Sequence, residues 1–226
     1  FLAVALVLAG CNKTSASQAA RVRADVATIR ATSAAYGAKE QKALLESKLV
    51  PRADLGPCPV HVTDVDHDRM AVIERANLPQ AAPPHCLRAV EHAASFEEDL
   101  PPQRSGAPPV SLEGDALVAA AHEEATATWD WDLVVVADER TSPTNDALGA
   151  AFTGGRIRGR AFVYEFATDK IVCAADVDVV SSREVTVTRN TRRIGQDYTG
   201  DLNGDLEQNA LAEAVSHLVA AGPARP

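Results

Sequence analysis

Trp131-Asp132-Leu133-Val134-Val135-Val136-Ala137 is the stretch on which the fold turns. Its centre is continuously apolar and β-branched, as expected of a strand covered on both faces. A hairpin pattern follows. Arg160, Phe162, Tyr164 and Phe166 alternate onto one face, and after Thr168-Asp169-Lys170 the residues Ile171, Cys173, Ala175, Val177 and Val179 alternate again. Arg183 to Thr188 is a further strand candidate. Toward the C-terminus, Leu206, Leu211, Val215, Leu218 and Val219 fall on one helical stripe, with Asp205 and Gln208 as a cap and Gly222-Pro223 as a stop.

Upstream, Val22, Val26, Ile29, Ser33 and Tyr36 step by four and three and predict a helix, capped by Ser15 or Ser17. Gly37 weakens it. Lys39 to Leu49 reads as a second helical stretch with Leu44, Leu45 and Leu49 inward. Val60 to Val65 alternates like a short edge strand, Asp66-His67-Asp68 is a turn, and Met70 to Arg75 is one helical turn or a strand. His85 to Leu100 predicts a helix with Leu87, Val90 and Ala94 on one face, and Leu112 to Thr126 predicts another. Residues 101–109, with Pro101, Pro102, Pro108 and Pro109, read as a stiff exposed loop or linker. Pro143 to Phe152 reads as loop.

The expected fold class is α+β: a small antiparallel sheet with helices packed on one face, preceded by an N-terminal helical segment. Residues 19–226 are read as a single domain. Lys and Arg total 22 against 31 Asp and Glu, a formal net charge of −9, which argues against nucleic acid as a partner.

The N-terminus carries an address. Phe1 to Gly10 is uncharged and mostly apolar, too short to span a bilayer and the right size for the apolar region of a signal peptide. It ends in Leu8-Ala9-Gly10-Cys11. This resembles the lipobox of bacterial lipoproteins at all four positions. The resemblance implies that Cys11 receives a diacylglyceryl group, that residues 1–10 are a cleaved signal peptide (here read as truncated, lacking Met and a basic start), and that residues 11–18 are the lipidated cysteine and its tether. The implied location is the cell envelope. Asn12, in place of the aspartate that favours inner-membrane retention in enterobacterial lipoproteins, points to an outer-membrane anchor facing the periplasm. The partners implied are the membrane, through the lipid, and an envelope protein or cell-wall component.

With Cys11 lipidated, Cys58, Cys86 and Cys173 are left to pair in an oxidising compartment. Cys58–Cys86 is the preferred disulfide, closing a proline-flanked, strand-poor loop; Cys58–Cys173 is the rival, since spacing does not fix connectivity. Cys173 on its apolar face reads as a small inert hydrophobe.

Candidate chemistry is sparse. Arg156, Arg158 and Arg160 alternate, so in a strand they form a guanidinium row able to grip carboxylates or phosphates, set against the simpler reading of a solvated face paired with Asp and Glu. His61, Asp64, Asp66, His67 and Asp68 cluster without a recognised ligand spacing and read as a polar turn, so no metal site is assigned. His85 and Cys86 adjoin each other and could join such a site only with the cysteine reduced. Asp201-Leu-Asn203-Gly-Asp205 begins like a calcium loop but has Leu206 where glycine is needed and Ala212 where glutamate is needed. Trp129 and Trp131 alternate with Asp130 and Asp132, a pattern that suits sugar binding but more often divides into one core and one surface ring. No nucleophile-elbow, Cys-x-x-Cys or Ser-x-x-Lys motif occurs, and no cofactor is implied. The expectation is an envelope lipoprotein whose body is a non-catalytic binding or structural module. The alternative is an envelope hydrolase using a carboxylate/His cluster, either Asp64–Asp68 or Asp130 with Asp132.

Overall fold

Ser15 opens the first helix with a reciprocal cap: Gln18 N–H donates to Ser15 Oγ (3.2 Å), and Ser15 N–H donates to Gln18 Oε1 (2.7 Å). In the computed structural model, which describes residues 15–47, 58–60, 62–100, 114–145, 152–185 and 198–220, the elements run α1 (Ala16–Glu46), β1 (Met70–Glu74), α2 (Pro84–Glu98), α3 (Gly114–Thr126), β2 (Trp131–Thr141), β3 (Thr144–Asn145), β4 (Phe152–Thr153), β5 (Arg156–Glu165), β6 (Lys170–Val180) and α4 (Thr199–Ala220). The fold class is α+β. The described residues gather into two compact units: one from residues up to 35 with 87–128, the other from 36–86 with 129–220.

The first unit is helical. It buries Val22, Val26, Ile29 and Ser33 along α1, the stripe read from periodicity, together with Ala89, Ala93, Leu117, Val118 and Ala121. Ser33 Oγ donates to the Ile29 carbonyl, which satisfies its burial (2.8 Å). Helix α2 is turned differently from the expected face. Leu87 and Val90 are 50% and 44% exposed and Ala94 is exposed with them, while Ala89 and Ala93 are buried. Small side chains let helices approach closely, and polar partners fix the rotation: Arg30 grips Glu97 through two bonds (2.7 and 2.6 Å), and His92 Nδ1 meets Glu124 (2.9 Å).

The second unit is the sheet, in the order β1-β2-β5-β6, with α4 packed on one face. Leu206, Ala210, Leu211, Ala214, Val215 and Leu218 of α4 meet Leu133, Val135, Ile157, Ala161, Val163, Cys173, Ala175 and Val177. On the opposite face Leu44, from the end of α1, joins Ile73, Leu78, Val134, Val136 and Phe162. Strand β2 is therefore covered on both sides, as its apolar centre requires. The pairs β2–β5 and β5–β6 are antiparallel, whereas β1 runs parallel to β2, with Met70 opposite Leu133 and Ile73 opposite Val136. The sheet is thus mixed: the chain leaves β1 and returns through α2 and α3 rather than through a hairpin, the connection a parallel pair needs.

Local differences from the sequence reading have physical causes. Gly37 does not interrupt α1; its missing Cβ leaves room for Cys86, whose Sγ would lie 3.1 Å from one. Val62 to Val65 forms no strand, and the strand begins only at Met70, where the register with β2 starts. Helix α4 starts at Thr199, so Asp205 lies inside it and does not cap its first turn. Its carboxylate instead accepts from Ser182 N–H and Oγ (3.0 and 2.8 Å), tying the chain after β6 to α4. Thr144–Asn145 and Phe152–Thr153 pair as a small ribbon within the expected loop. Residues 1–10, Cys11, the proline-rich loop 101–109 and the strand expected to end at Thr188 lie wholly or partly outside the described residues.

The hairpin carries a β-bulge. Val163 pairs with Cys173 but Tyr164 pairs with Ile171, leaving Val172 extra. Ile171 therefore moves to the Phe162 side, while Cys173, Ala175 and Val177 stay under α4. At Asp169 the turn takes a positive φ of 53°, which aspartate tolerates better than most residues.

Candidate functional site

Tyr36, Glu40 and Leu44 repeat every four residues, so the second half of α1 presents all three on one stripe. The alternation of β2 puts Asp132 on the same sheet face as Val134 and Val136, opposite Tyr164 of β5. Pro83-Pro84 starts α2 and places His85 and Cys86 in its first turn. These elements bring together a group of ionisable side chains inside the second unit.

Glu40 and Asp132 are both 0% exposed, and His85 retains 14% of its side-chain exposure. Asp132 accepts from the backbone N–H of His85 (3.2 Å) and forms a very short contact with its Nδ1. One carboxyl group thus satisfies an orphan N–H at the start of α2 and fixes the imidazole beside it. Burial raises the Asp132 carboxyl above its ordinary range, opposed by its bonds to His85. Burial, reinforced by the Asp132 charge, pushes Glu40 up to about 10. Cys86 is a buried thiol outside the disulfide, pushed up to about 12, chiefly by burial and further by Glu40 and Asp132. It is therefore a neutral thiol, not an activated nucleophile.

Aromatic rings enclose this group. His85 stacks on Trp129 (centroids 5.4 Å, planes 16° apart) and meets Phe166 edge-on (5.6 Å). Tyr36 packs against both Trp129 and Phe166 (5.2 and 5.4 Å). Tyr164 is fully buried beside Phe166, and its hydroxyl is held neutral by burial and by nearby Asp169. At the rim, Lys39 pairs with Asp169 (2.7 Å); the bond holds the lysine higher and the aspartate lower than usual.

The sequence-predicted residues fall elsewhere. Cys11 and His61 lie outside the described residues. The disulfide joins Cys58 to Cys173, not to Cys86. The reason is topological: Cys173 faces the core under α4 in which Cys58 is buried, whereas Cys86 is seated against Gly37. Arg156, Arg158 and Arg160 do share one face, and each meets carboxylates. Arg156 holds Asp178 through two bonds (2.8 and 2.7 Å), Arg158 lies 3.4 Å from both Glu139 and Asp178, and Arg160 lies 3.6 Å from Asp176. The adjoining depression of about 430 Å³ is lined by Asp138, Glu139, Arg158, Gly159, Asp176 and Asp178 among others. An incoming anion would have to displace a carboxylate already in place. Asp66 Oδ1 accepts from Asp68 N–H (3.0 Å), which makes the 64–68 cluster a polar turn. Of the two tryptophans, Trp129 covers His85, and Trp131 sits beneath the Arg69 guanidinium (5.5 Å). Asp201, Asn203 and Asp205 lie on α4; Asn203 Nδ2 donates to the Thr199 carbonyl within the helix.

The Glu40–Asp132–His85 group is the one the sequence reading missed as a unit. Its signal was present: the stripe through Tyr36 continues by fours to an acid at 40, and one aspartate interrupts the most apolar strand. Among the described residues no cluster has the arrangement to hold a metal ion, and no helix is long and apolar enough to cross a membrane. No family model matches the chain, and no curated protein or solved structure is significantly similar to it.

Proposed function

We propose that this protein is a lipoprotein of the bacterial cell envelope, anchored through Cys11 at the outer membrane and facing the periplasm, with a non-catalytic body that binds an envelope protein or cell-wall component. The lipobox-like Leu8-Ala9-Gly10-Cys11 gives the anchor its chemistry; each buried acyl CH₂ contributes about 0.8 kcal/mol, so two or three chains hold stably. The observation that carries the placement is the Cys58–Cys173 disulfide, because such bonds persist in oxidising compartments. The non-catalytic reading draws on the condition of the polar groups. The 64–68 carboxylates serve a turn, the arginine row meets its own carboxylates, and Asp132 is consumed by His85 and the start of α2. Replacing Cys11 by alanine is expected to move the protein from the membrane to the soluble fraction; unchanged fractionation contradicts the anchor. Crosslinking in cells is then expected to recover a defined envelope partner.

The hydrolase reading has one observation in its favour, the His85–Asp132 contact, which could orient an imidazole as a general base. Against it stands the enclosure of that ring by Trp129 and Phe166. Loss of a hydrolytic activity on envelope substrates in His85→Ala, with the fold intact, would favour this reading.

A further inference from the structure

Glu40 is fully buried, and no donor reaches either of its carboxyl oxygens. The charged group acting on it is Asp132, itself fully buried. Two neighbouring carboxylates in such a place resist joint ionisation, because each loses its hydration and each repels the other. His85 supplies at most a single positive charge, and that ring is already committed to Asp132. The other titratable groups facing Glu40 are Cys86 from α2 and Tyr164 from β5, both kept neutral by burial. Lys39, the residue before Glu40, is engaged with Asp169. A carboxyl pair in these surroundings is stable when it holds a proton, which lets one carboxyl donate to the other.

We propose that Glu40, Asp132 and His85 form a proton-operated fastener, in which a proton held on the Glu40–Asp132 pair at neutral pH keeps the second half of α1 seated on the sheet and its loss unseats that helix. The sign follows from linkage. The unfolded chain ionises this glutamate near its ordinary 4.5, whereas the folded chain holds the proton to about 10. The contribution is complete below the first value, declines steadily above it, and is lost as pH rises through the second. Acidification from neutral pH therefore tightens the fastener, and alkali loosens it.

The test compares denaturant unfolding of the full chain with that of Glu40→Gln between pH 6 and 9. Gln keeps the shape and cannot ionise. The wild-type unfolding constant is expected to rise with pH more steeply than the variant's by about tenfold per pH unit, the signature of one proton. Amides of residues 36–46, corrected for intrinsic exchange, are expected to lose protection with rising pH in the wild type only. Equal slopes in the two proteins overturn the proposal, whatever their absolute stabilities. Should the variant not fold, infrared spectroscopy of the wild type at pH 7.5 decides: a protonated-carboxyl band supports the fastener, and its absence overturns it.

Discussion

Breaking the Cys58–Cys173 bond is expected to cost more stability than any single surface change. The bridge closes a segment of 115 residues. In the chain-entropy treatment a loop of that length removes about 16 cal/mol/K from the unfolded state, or about 4.8 kcal/mol at 25 °C. For a chain of this size that corresponds to a midpoint lowered by about 10–20 °C. Cys58→Ala with Cys173→Ala is the suitable perturbation, since both sulfurs are buried among apolar side chains under α4 and a serine would add a buried hydroxyl. Urea or thermal denaturation of the variant and the oxidised wild type supplies the difference. Peptide mapping without reductant is expected to recover Cys58 joined to Cys173, with Cys86 alkylated only after unfolding. A Cys58–Cys86 peptide, or a stability change below about 1 kcal/mol, would show that Cys173 does not face Cys58 under α4.

Phe162→Ala removes a fully buried ring from the face closed by Leu44 and is expected to cost about 3–5 kcal/mol by denaturation. Gly159→Ala would set a Cβ 2.1 Å from the Val136 carbonyl oxygen, and the forced shift is expected to cost about 1–3 kcal/mol, read from the urea midpoint. Asp132→Ala leaves the His85 N–H and ring without their acceptor and is expected to lose about 3–5 kcal/mol, with Asp132→Asn losing less because it retains an acceptor oxygen. Arg156→Ala removes an exposed pair with Asp178 and is expected to leave the thermal midpoint unchanged; a clear drop would show that the charged ladder holds the sheet together.

The apolar rows of this fold are written in its sequence. The α4 stripe, the centre of β2 and the Val22–Val26–Ile29 stripe each follow from periodicity because burial imposes a period on one element at a time. Features that depend on two elements meeting were harder to read. The arginine row was visible as an alternation, but its partners depended on the bulge at Val172. Without that extra residue Arg158 would face Val177; with it, Arg158 faces Asp178 and Arg160 faces Asp176. The same slip separates Ile171 from Cys173 and seats the cysteine where Cys58 can reach it. On α2 the large apolar residues suggested the wrong inward face, since Ala89 and Ala93 allow closer packing than Leu87 and Val90. The Glu40–Asp132–His85 group joins three elements distant in sequence. The sequence reading noted Asp132 and His85 in separate patterns and passed over Glu40, because their meeting depends on the tertiary fold.

Intact-mass measurement of the protein isolated from its native membrane bears most directly on the envelope assignment. The expected mass is that of a chain beginning at Cys11, heavier than the polypeptide by its acyl groups and lighter by two hydrogens for the Cys58–Cys173 bond. A free thiol at Cys11 with Phe1 to Gly10 still attached would contradict the anchor, the compartment and the partners inferred from them.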